Sequence, residues 1–351
     1  MKKVVKENKK IEKPISKNKT FFGLFLVVVS IATLFHFIYW SKFSLDVTLL
    51  KAQQLAGLRS QISYYTEMGA ICNELKKYDC AISYFEEVLL VNPKDTKAMG
   101  NIATIYSKNK EYNKAITYFN LYQKNSGKAY DVIFWHGKTL LSQGDKEGLR
   151  NVIYSAGLNQ KNKEHIEKVV AVLTDYGRQD LALSLIGSIV QGDVKKIKEW
   201  DQIMSEPQLL NYKSMSNGWE ALSFNTRTFY SPVKLRKQGR IKIFELEFWD
   251  NHNLLTYDTL DENLIPYTKD EGMQPIKLKS GRKIMATPVV LESFYIAGLM
   301  FKNLKFFACE DCNHQISKKF LTQFETEKTK TQRVNYIKFK LKPNSNKDGL
   351  E

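Results

Sequence analysis

The 351-residue sequence contains only four cysteines, eight prolines and eighteen glycines. Four cysteines are too few for a small disulfide-built fold, and the low proline and glycine content excludes a collagen-like or low-complexity chain. The patterns GxxxxGK[ST], HExxH, GxSxG and GxGxxG are absent, which excludes the common nucleotide-binding, zinc-protease and hydrolase fingerprints. Apolar residues make up 43% of the chain, enough for packed cores in about two domains.

Arginine is also scarce. Lysine and arginine together number 53 against 37 acidic residues, and only eight of the 53 are arginine. Proteins that recognise DNA bases or phosphates rely on the arginine fork, so a lysine-dominated excess favours a solvated basic surface. The sequence therefore predicts no nucleic-acid partner.

One long apolar stretch is present. Residues 21–40 carry no charged side chain, and twenty helical residues span about 30 Å, the thickness of a bilayer's hydrocarbon core. Eight lysines precede the stretch, so the positive-inside rule predicts a signal anchor with residues 1–20 in the cytoplasm. The sequence thus predicts a single-pass membrane protein whose bulk is extracytoplasmic, and periplasmic if the host is a Gram-negative bacterium.

An internal repeat follows. Residues 62–95 and 96–129 align at a period of 34, with Ala81 matching Ala115 and a phenylalanine four residues after each alanine. A small residue at these positions lets two antiparallel helices approach closely, and the aromatic ring fills the gap toward the next pair. This pattern resembles the tetratricopeptide repeat, a helical hairpin that stacks into a solenoid.

Two weaker units at 130–162 and 163–195 extend the resemblance, which implies an α-solenoid of tetratricopeptide repeats over 62–195. In this family the first helix of each pair lines a concave groove that binds peptides, so a protein or peptide is the expected partner. The alternative for each groove residue is an ordinary solvated polar group. The implied groove positions are Thr66, Ala70, Asn73, Gly100, Thr104, Ser107 and Lys108.

The region 224–343 has a different pattern, in which short β-type runs alternate with turn signals. The run Leu254–Tyr257 leads into Asp258-Thr259, and a hairpin with Gly281 at its turn follows. A later pair of strands precedes a short amphipathic helix. This order of elements resembles the retropepsin-like aspartic peptidase fold, in which a strand ends in Asp-Thr-Gly and a hairpin forms the flap.

The resemblance implies chemistry that two chains perform together, because each chain supplies one of two carboxylates that share a proton. It assigns Asp258 as the catalytic carboxyl group, Thr259 as its brace and the 279–286 hairpin as the flap. The family's two glycines are replaced by Leu260 and Ser317, at points where backbones approach closely. The domain is therefore expected to be an inactive pseudoenzyme; the alternative is an active membrane-anchored peptidase that works as a dimer.

The cysteines form two close pairs in the sequence, Cys72 with Cys80 and Cys309 with Cys312. Either pair can be a disulfide or two thiols. The second pair is a CxxC near His314, but too few ligands lie close to complete a zinc site. Neither a metal nor any other cofactor is predicted.

Together these patterns predict a multi-domain α + β protein that acts as a membrane-anchored, protein-binding adaptor. Self-association through the repeats is a third possibility, and a homodimer is allowed. The predicted segments are a basic cytoplasmic tail (1–20), a transmembrane signal anchor (21–41), a juxtamembrane helix or linker (42–61), the repeats (62–195), a linker (196–223), the retropepsin-like β domain (224–343) and a tail (344–351).

Overall fold

The computed structural model describes residues 28–31, 45–190, 219–224, 228–237, 239–269, 271–278, 280–296, 299–331, 334–343 and 345. The chain divides into two compact units, one ending at Ala98 and the other beginning at Met99. From residue 45 onward, the helices among the described residues are α1 (45–55), α2 (Gln61–Glu74), α3 (Tyr78–Val91), α4 (Thr96–Lys108), α5 (Tyr112–Lys124), α6 (Tyr130–Ser142), α7 (Gly148–Leu158), α8 (Lys163–Asp175), α9 (Gln179–Val190), α10 (Tyr257–Glu262) and α11 (Lys318–Leu321).

In the first unit, α2 and α3 form an antiparallel hairpin. Ser60 caps α2, because its hydroxyl accepts the backbone N–H of Ser63 at 3.2 Å. The two helices approach closely at Gly69, where a Cβ would lie 2.8 Å from the ring of Phe85. A disulfide joins Cys72 of α2 to Cys80 of α3, so this pair, left open by the sequence, is bonded.

In the second unit, α6 and α7 form the tightest helical pair. A Cβ on Gly137 would lie 2.6 Å from the carbonyl oxygen of Gly148, so only glycine fits at this crossing. Helices α8 and α9 form the next pair and share a buried core with α6 and α7. The predicted succession of a helical solenoid and a strand-rich region is confirmed.

The strands of the described residues are β1 (Trp219–Ser223), β2 (Phe229–Lys234), β3 (Lys242–Leu246), β4 (Leu254–Thr256), β5 (Gln274–Lys277), β6 (Lys283–Leu291), β7 (Phe294–Ile296), β8 (Leu299–Phe301), β9 (Leu304–Cys309), β10 (Gln315–Ile316), β11 (Phe324–Thr331) and β12 (Val334–Leu341). One sheet has the order β1-β12-β11, and the other has the order β5-β6-β9-β4-β10-β3-β2-β7-β8. In the larger sheet β4 is parallel to β9 and β10 is parallel to β3, whereas β4 and β10 are antiparallel.

The core of the strand-rich region is aromatic. Edge-to-face rings connect the strands to α11, as between Phe294 and Phe320, whose centroids lie 5.7 Å apart. Trp219 of β1 stacks on Phe339 of β12 at 4.3 Å. The region therefore begins at least as early as residue 219, although the sequence had assigned 219–223 to a linker.

Helix α9 is buried on nearly every side. From residue 180 to residue 190, only Ile189 is partly exposed. The helix packs on α8 and on strands β1, β2 and β3, and its apolar side chains share a cluster with Leu222 and Tyr336. A helix with apolar side chains on most of its faces is stable only when those faces are covered.

Polar side chains on α9 form hydrogen bonds to the backbone of β1, and this contact is the junction between the helices and the strands. The hydroxyl of Ser184 accepts the backbone N–H of Leu222 at 2.8 Å, and the hydroxyl of Ser188 donates to the carbonyl of Leu222 at 3.0 Å. The fully buried carboxylate of Asp180 accepts the N–H of Glu220 at 2.9 Å and two hydrogen bonds of 3.0 Å from Arg178. The helix thereby bonds the outward N–H groups of Glu220 and Leu222 and the carbonyl of Leu222 on edge strand β1.

The predicted membrane location is wrong. A spanning helix needs about twenty consecutive apolar residues, and no helix among the described residues is long and apolar enough to cross a membrane. This contradicts the prediction of a single-pass membrane protein. The predicted span 21–40 itself lies outside the described residues, apart from 28–31.

The junction yields the first prediction. Asp180→Ala removes the buried acceptor of the Glu220 N–H and two of the hydrogen bonds of Arg178, which keeps its bond to the Glu220 carboxylate, so we expect the free energy of unfolding to fall by about 3 kcal/mol. Urea unfolding of the full chain, followed by tryptophan fluorescence, measures the change. Asp175→Ala, at an exposed position of α8, is the matched control and should change stability by less than about 0.5 kcal/mol. Equal effects of the two variants would contradict the assignment.

Candidate functional site

The predicted groove residues of the first unit lie on α2. Thr66 and Asn73 are both partly exposed, and Ala70 between them is exposed. These positions, spaced by four and three residues, lie along one side of the helix. They leave a small, mildly polar surface.

The predicted groove residues of the second unit differ in burial. Thr104 is partly exposed, and its hydroxyl donates to the carbonyl of Gly100 at 2.8 Å. Lys108 is exposed at the end of α4. Gly100 and Ser107 are buried: a Cβ on Gly100 would lie 2.9 Å from Val132, so this residue is a packing position and offers no surface to a ligand.

Helix α6 adds aromatic and basic groups that the sequence analysis missed. Lys138 Nζ lies 4.9 Å from the centroid of the Trp135 ring, and Lys108 Nζ lies 5.6 Å from the same centroid. The missed signal was the repeat itself, because adding the 34-residue period to Thr104 gives Lys138. The first helices α4 and α6 thus present a surface with two lysines and one indole.

In the strand-rich region, Asp258 is exposed in the first turn of α10. Strand β4 ends at Thr256, whose hydroxyl accepts the N–H of Thr259 and so caps the helix. Leu260, one of the two glycine replacements, is fully buried in the main core of this region. The sequence Asp258-Thr259-Leu260 is therefore a helical turn, where a strand ending in an open loop was expected.

Thr259 is buried, and its hydroxyl lies 2.7 Å from Nε2 of His314. The hydroxyl of Thr256 lies 3.3 Å from the same nitrogen, and the imidazole stacks on Phe244 at 5.0 Å. Desolvation by burial, helped by the nearby charge of Lys242, lowers the pKa of His314 to about 4. The imidazole is consequently neutral near pH 7 and acts as a hydrogen-bonding centre between the two threonines.

The predicted hairpin is present as β5 and β6, joined through Gly281 at a φ of +85°. The tip of the hairpin is attached to the loop that carries Asp311, because Arg282 Nη2 donates a hydrogen bond to the Asp311 carboxylate at 2.6 Å. The loop that carries Asp311 is closed by a disulfide between Cys309 and Cys312, the second pair that the sequence left open. Among the described residues, no group of three or more His, Cys, Asp or Glu side chains is arranged to hold a metal ion.

Comparison with known families identifies the first part of the helical region. A family model described as tetratricopeptide repeat matches residues 62–95 and 96–126. Residues 62–126 are two tetratricopeptide repeats. The match does not reach the strand-rich region, so the retropepsin-like resemblance of 224–343 stays a prediction.

Three solved structures illustrate the similarity. YrrB, described as a TPR protein with an unusual peptide-binding site, is 15% identical over 46% of this chain and 87% of its own, with a TM-score of 0.34. The MamA protein is 16% identical over 43% and 87%, with a TM-score of 0.33. The TPR domain of Arabidopsis OM64 is 16% identical over 33% and 95%, with a TM-score of 0.31. TM-scores this low carry no argument about function. The search of curated proteins found no match.

The low pKa of His314 yields a pH prediction. Between about 6.5 and about 4, the unfolded chain carries a proton on this imidazole that the folded chain does not, so stability falls as the pH drops through this range. His314→Gln keeps hydrogen-bonding groups and removes the titration. Near pH 5.5 we expect the slope of unfolding free energy against pH to decrease by about 1 kcal/mol per pH unit.

Urea unfolding at intervals of pH from 4 to 7 measures both slopes. An unchanged slope in His314→Gln would show that this imidazole does not bind its proton on unfolding.

Proposed function

We propose that this protein is an adaptor that binds an extended segment of a partner protein on the surface formed by the first helices of its repeats. The observation that carries the proposal is the pair of tetratricopeptide repeats at 62–126. Stacked helical hairpins of this kind create extended binding surfaces, because each repeat contacts only its neighbours and leaves one side of its first helix open. In the second unit this first-helix surface is formed by α4, α6 and α8.

The side chains on this surface support the proposal. Thr104 and Trp135 are partly exposed and Lys108 is exposed, so hydrogen-bonding, aromatic and charged groups are all offered to a ligand. Aromatic rings with polar neighbours are enriched at the centres of protein interfaces. Helices α6 and α8, which carry part of this surface, are held in place by a buried core that includes Val169 and Leu173 of α8.

For the strand-rich region we propose a second role, as the C-terminal cap of the solenoid. Solenoids need a terminal element that covers the last apolar face. Support comes from α9, whose apolar side chains are covered by β1, β2 and β3. The sequence of this region resembles a retropepsin-like domain, and we infer that the region is a peptidase-derived scaffold without catalytic activity.

Three features favour a structural role over catalysis. Asp258 belongs to a helical turn, Leu260 fills the core, and the hydroxyl of Thr259 is engaged by His314. Two aspartates of an acid peptidase must come within about 3 Å to share a proton. Asp258 lies in a helical turn together with the buried Leu260. This turn does not offer the exposed backbone that would let two aspartates approach each other.

The adaptor role is tested by a matched pair of threonines. Thr104 on α4 and Thr117 on α5 each donate a hydroxyl hydrogen bond to the carbonyl four residues earlier, at 2.8 Å and 3.0 Å. Thr104→Arg places a bulky side chain on the first-helix surface, whereas Thr117→Arg alters the second helix of the same repeat. Peptides selected by phage display on the full chain should bind Thr104→Arg at least tenfold more weakly and Thr117→Arg unchanged. Equal binding to both variants would contradict the proposed surface.

The catalytic alternative is tested at Asp258. The full chain should not digest casein between pH 4 and pH 6, and Asp258→Asn should behave identically. Cleavage that pepstatin inhibits and Asp258→Asn abolishes would establish a peptidase and overturn the inactive assignment. Circular dichroism of both proteins checks that the substitution leaves the fold intact.

A further inference from the structure

Strand β6 of the larger sheet has a different partner along each half of its length. Residues 283–286 pair with β5, and residues 287–291 pair with β9, which lies on the opposite side of β6. Strand β5 begins at Gln274, directly opposite Ala286. Among the described residues, no strand therefore lies beside residues 287–291 on the side where β5 would continue. This side of residues 287–291 is named the open edge.

The hydrogen bonds of β9 show which backbone groups face the open edge. The N–H of Phe307 donates to the carbonyl of Asn253 at 2.9 Å, on the side of β9 away from β6. Because successive residues of a strand face opposite sides, the residue before Phe307 faces β6 and bonds with Val289, its partner in the register. Pro288 and Val290 consequently direct their backbone groups to the open edge. Proline is tolerated there, because its missing N–H breaks no bond between strands.

The open edge borders a cavity of about 540 Å³. One wall is the edge itself, through Pro288 and Val290, and the other is the loop before β5, through Pro266, Tyr267 and Thr268. Val290 is 58% exposed, although its two neighbours in the strand are buried. Neither Pro288 nor Val290 forms a hydrogen bond on this side within the described ranges. The open edge thus combines unbonded backbone groups with an apolar cavity.

Side chains hold the loop wall of the cavity in place. The ring of Tyr267 stacks on Tyr257 of α10 with centroids 5.3 Å apart, and its hydroxyl donates to the Asp261 carboxylate at 3.4 Å. Lys269 of the same loop forms an ion pair with Glu310. The cavity is therefore formed before a ligand arrives, which lowers the ordering cost of binding.

Two acidic side chains flank the open edge. Glu271 lines the cavity, and Glu292 follows the end of β6, two residues beyond Val290. Both are exposed, and neither forms an ion pair with another described residue. Lys305 lies opposite Val290 on β9, so β6 separates it from the edge, and its Nζ lies 5.7 Å from the centroid of the Phe307 ring. The charge at the edge therefore complements a basic ligand.

We propose that the open edge binds an extended peptide segment with apolar and basic side chains, which adds as a strand beside β6. The peptide backbone donates to the carbonyls of Pro288 and Val290 and accepts the N–H of Val290. An apolar side chain of the segment enters the cavity beside Tyr267, and basic side chains approach Glu271 and Glu292. The site lies in the strand-rich region, so it is separate from the first-helix surface and does not rest on the adaptor proposal.

A basic partner suits the open edge better than a second copy of this chain. Two copies paired edge to edge would each bring Glu271 and Glu292 to the same contact. Like charges across a strand pair are destabilising, and they select against a wrong partner. A segment that carries lysine or arginine instead neutralises the two carboxylates.

The test uses a fluorescein-labelled octapeptide of alternating valine and lysine with the full chain, read by fluorescence anisotropy at low salt. A peptide with glutamate in place of lysine is the charge comparison. We expect only the lysine peptide to bind, and Glu271→Gln to weaken its binding about threefold, as is typical of one exposed charge pair. Binding of the two peptides with equal affinity, or an unchanged affinity in Glu271→Gln, would overturn the inference.

A pair of proline variants tests strand addition itself. Val290→Pro removes the N–H at the open edge and leaves the bonds to β9 in place, so the lysine peptide should bind at least about fivefold more weakly. Lys277→Pro is the matched control, because it removes an outward N–H from β5, the edge strand of the same sheet. This variant should bind the peptide at least as tightly as the unmodified chain. Circular dichroism checks that both variants fold, and Glu271→Gln decides the question if Val290→Pro does not.

Three further outcomes separate this site from the alternatives. Equal losses in Val290→Pro and Lys277→Pro would overturn strand addition at the open edge. A dimer in sedimentation velocity that Val290→Pro dissociates would assign the edge to a second copy and overturn the inference as well. Thr104→Arg should bind the lysine peptide unchanged, and a loss there would place the peptide on the repeats. If display-selected peptides ignore Thr104→Arg while Val290→Pro weakens the lysine peptide, the adaptor role fails and the open edge stands.

Discussion

The hydrogen bonds between helix α9 and edge strand β1 are the constraint on which the second unit depends. Asp180 and Ser184 accept the backbone N–H groups of Glu220 and Leu222, respectively. Four residues of helix rise about 6 Å and two residues of strand advance about 6.6 Å, so the two spacings match. Because every second residue of an edge strand directs its backbone outward, a helix with acceptors four residues apart can bond successive outward N–H groups of the edge.

This junction also joins the two kinds of structure into one core. A single buried cluster runs from Phe134 on α6 through α8 and α9 to Tyr336 on β12, and Trp135 packs against its border. The part of the proposed first-helix surface around Trp135 is therefore supported by the same packing that attaches the strands. A binding surface held by a rigid core needs little ordering of its side chains when a ligand arrives, which favours affinity.

The sequence was informative where structure depends on neighbouring residues. Gly69 faces the Phe85 ring as the repeat spacing implied, and Gly281 makes the hairpin turn, because close helix packing and positive φ both demand glycine locally. It was uninformative where partners are distant in sequence. Strand β1 and the serines of α9 gave no local signal, since their pairing is made across 38 residues between Ser184 and Leu222. Lys138 is the exception, because it follows the groove position Thr104 by one 34-residue period and so had a signal in the sequence.

The two positions where the sequence departs from the retropepsin pattern, Leu260 and Ser317, both have structural roles in the strand-rich region. Leu260 is fully buried in the main core, where its side chain adds apolar packing. Ser317 caps α11, accepting the N–H of Phe320 at 3.2 Å, while its own N–H donates to Asn253 at 2.8 Å. Burying a leucine contributes about 2 kcal/mol and a helix cap about 1 kcal/mol. Each of these two side chains thus stabilises the strand-rich region, which agrees with the structural role proposed for it.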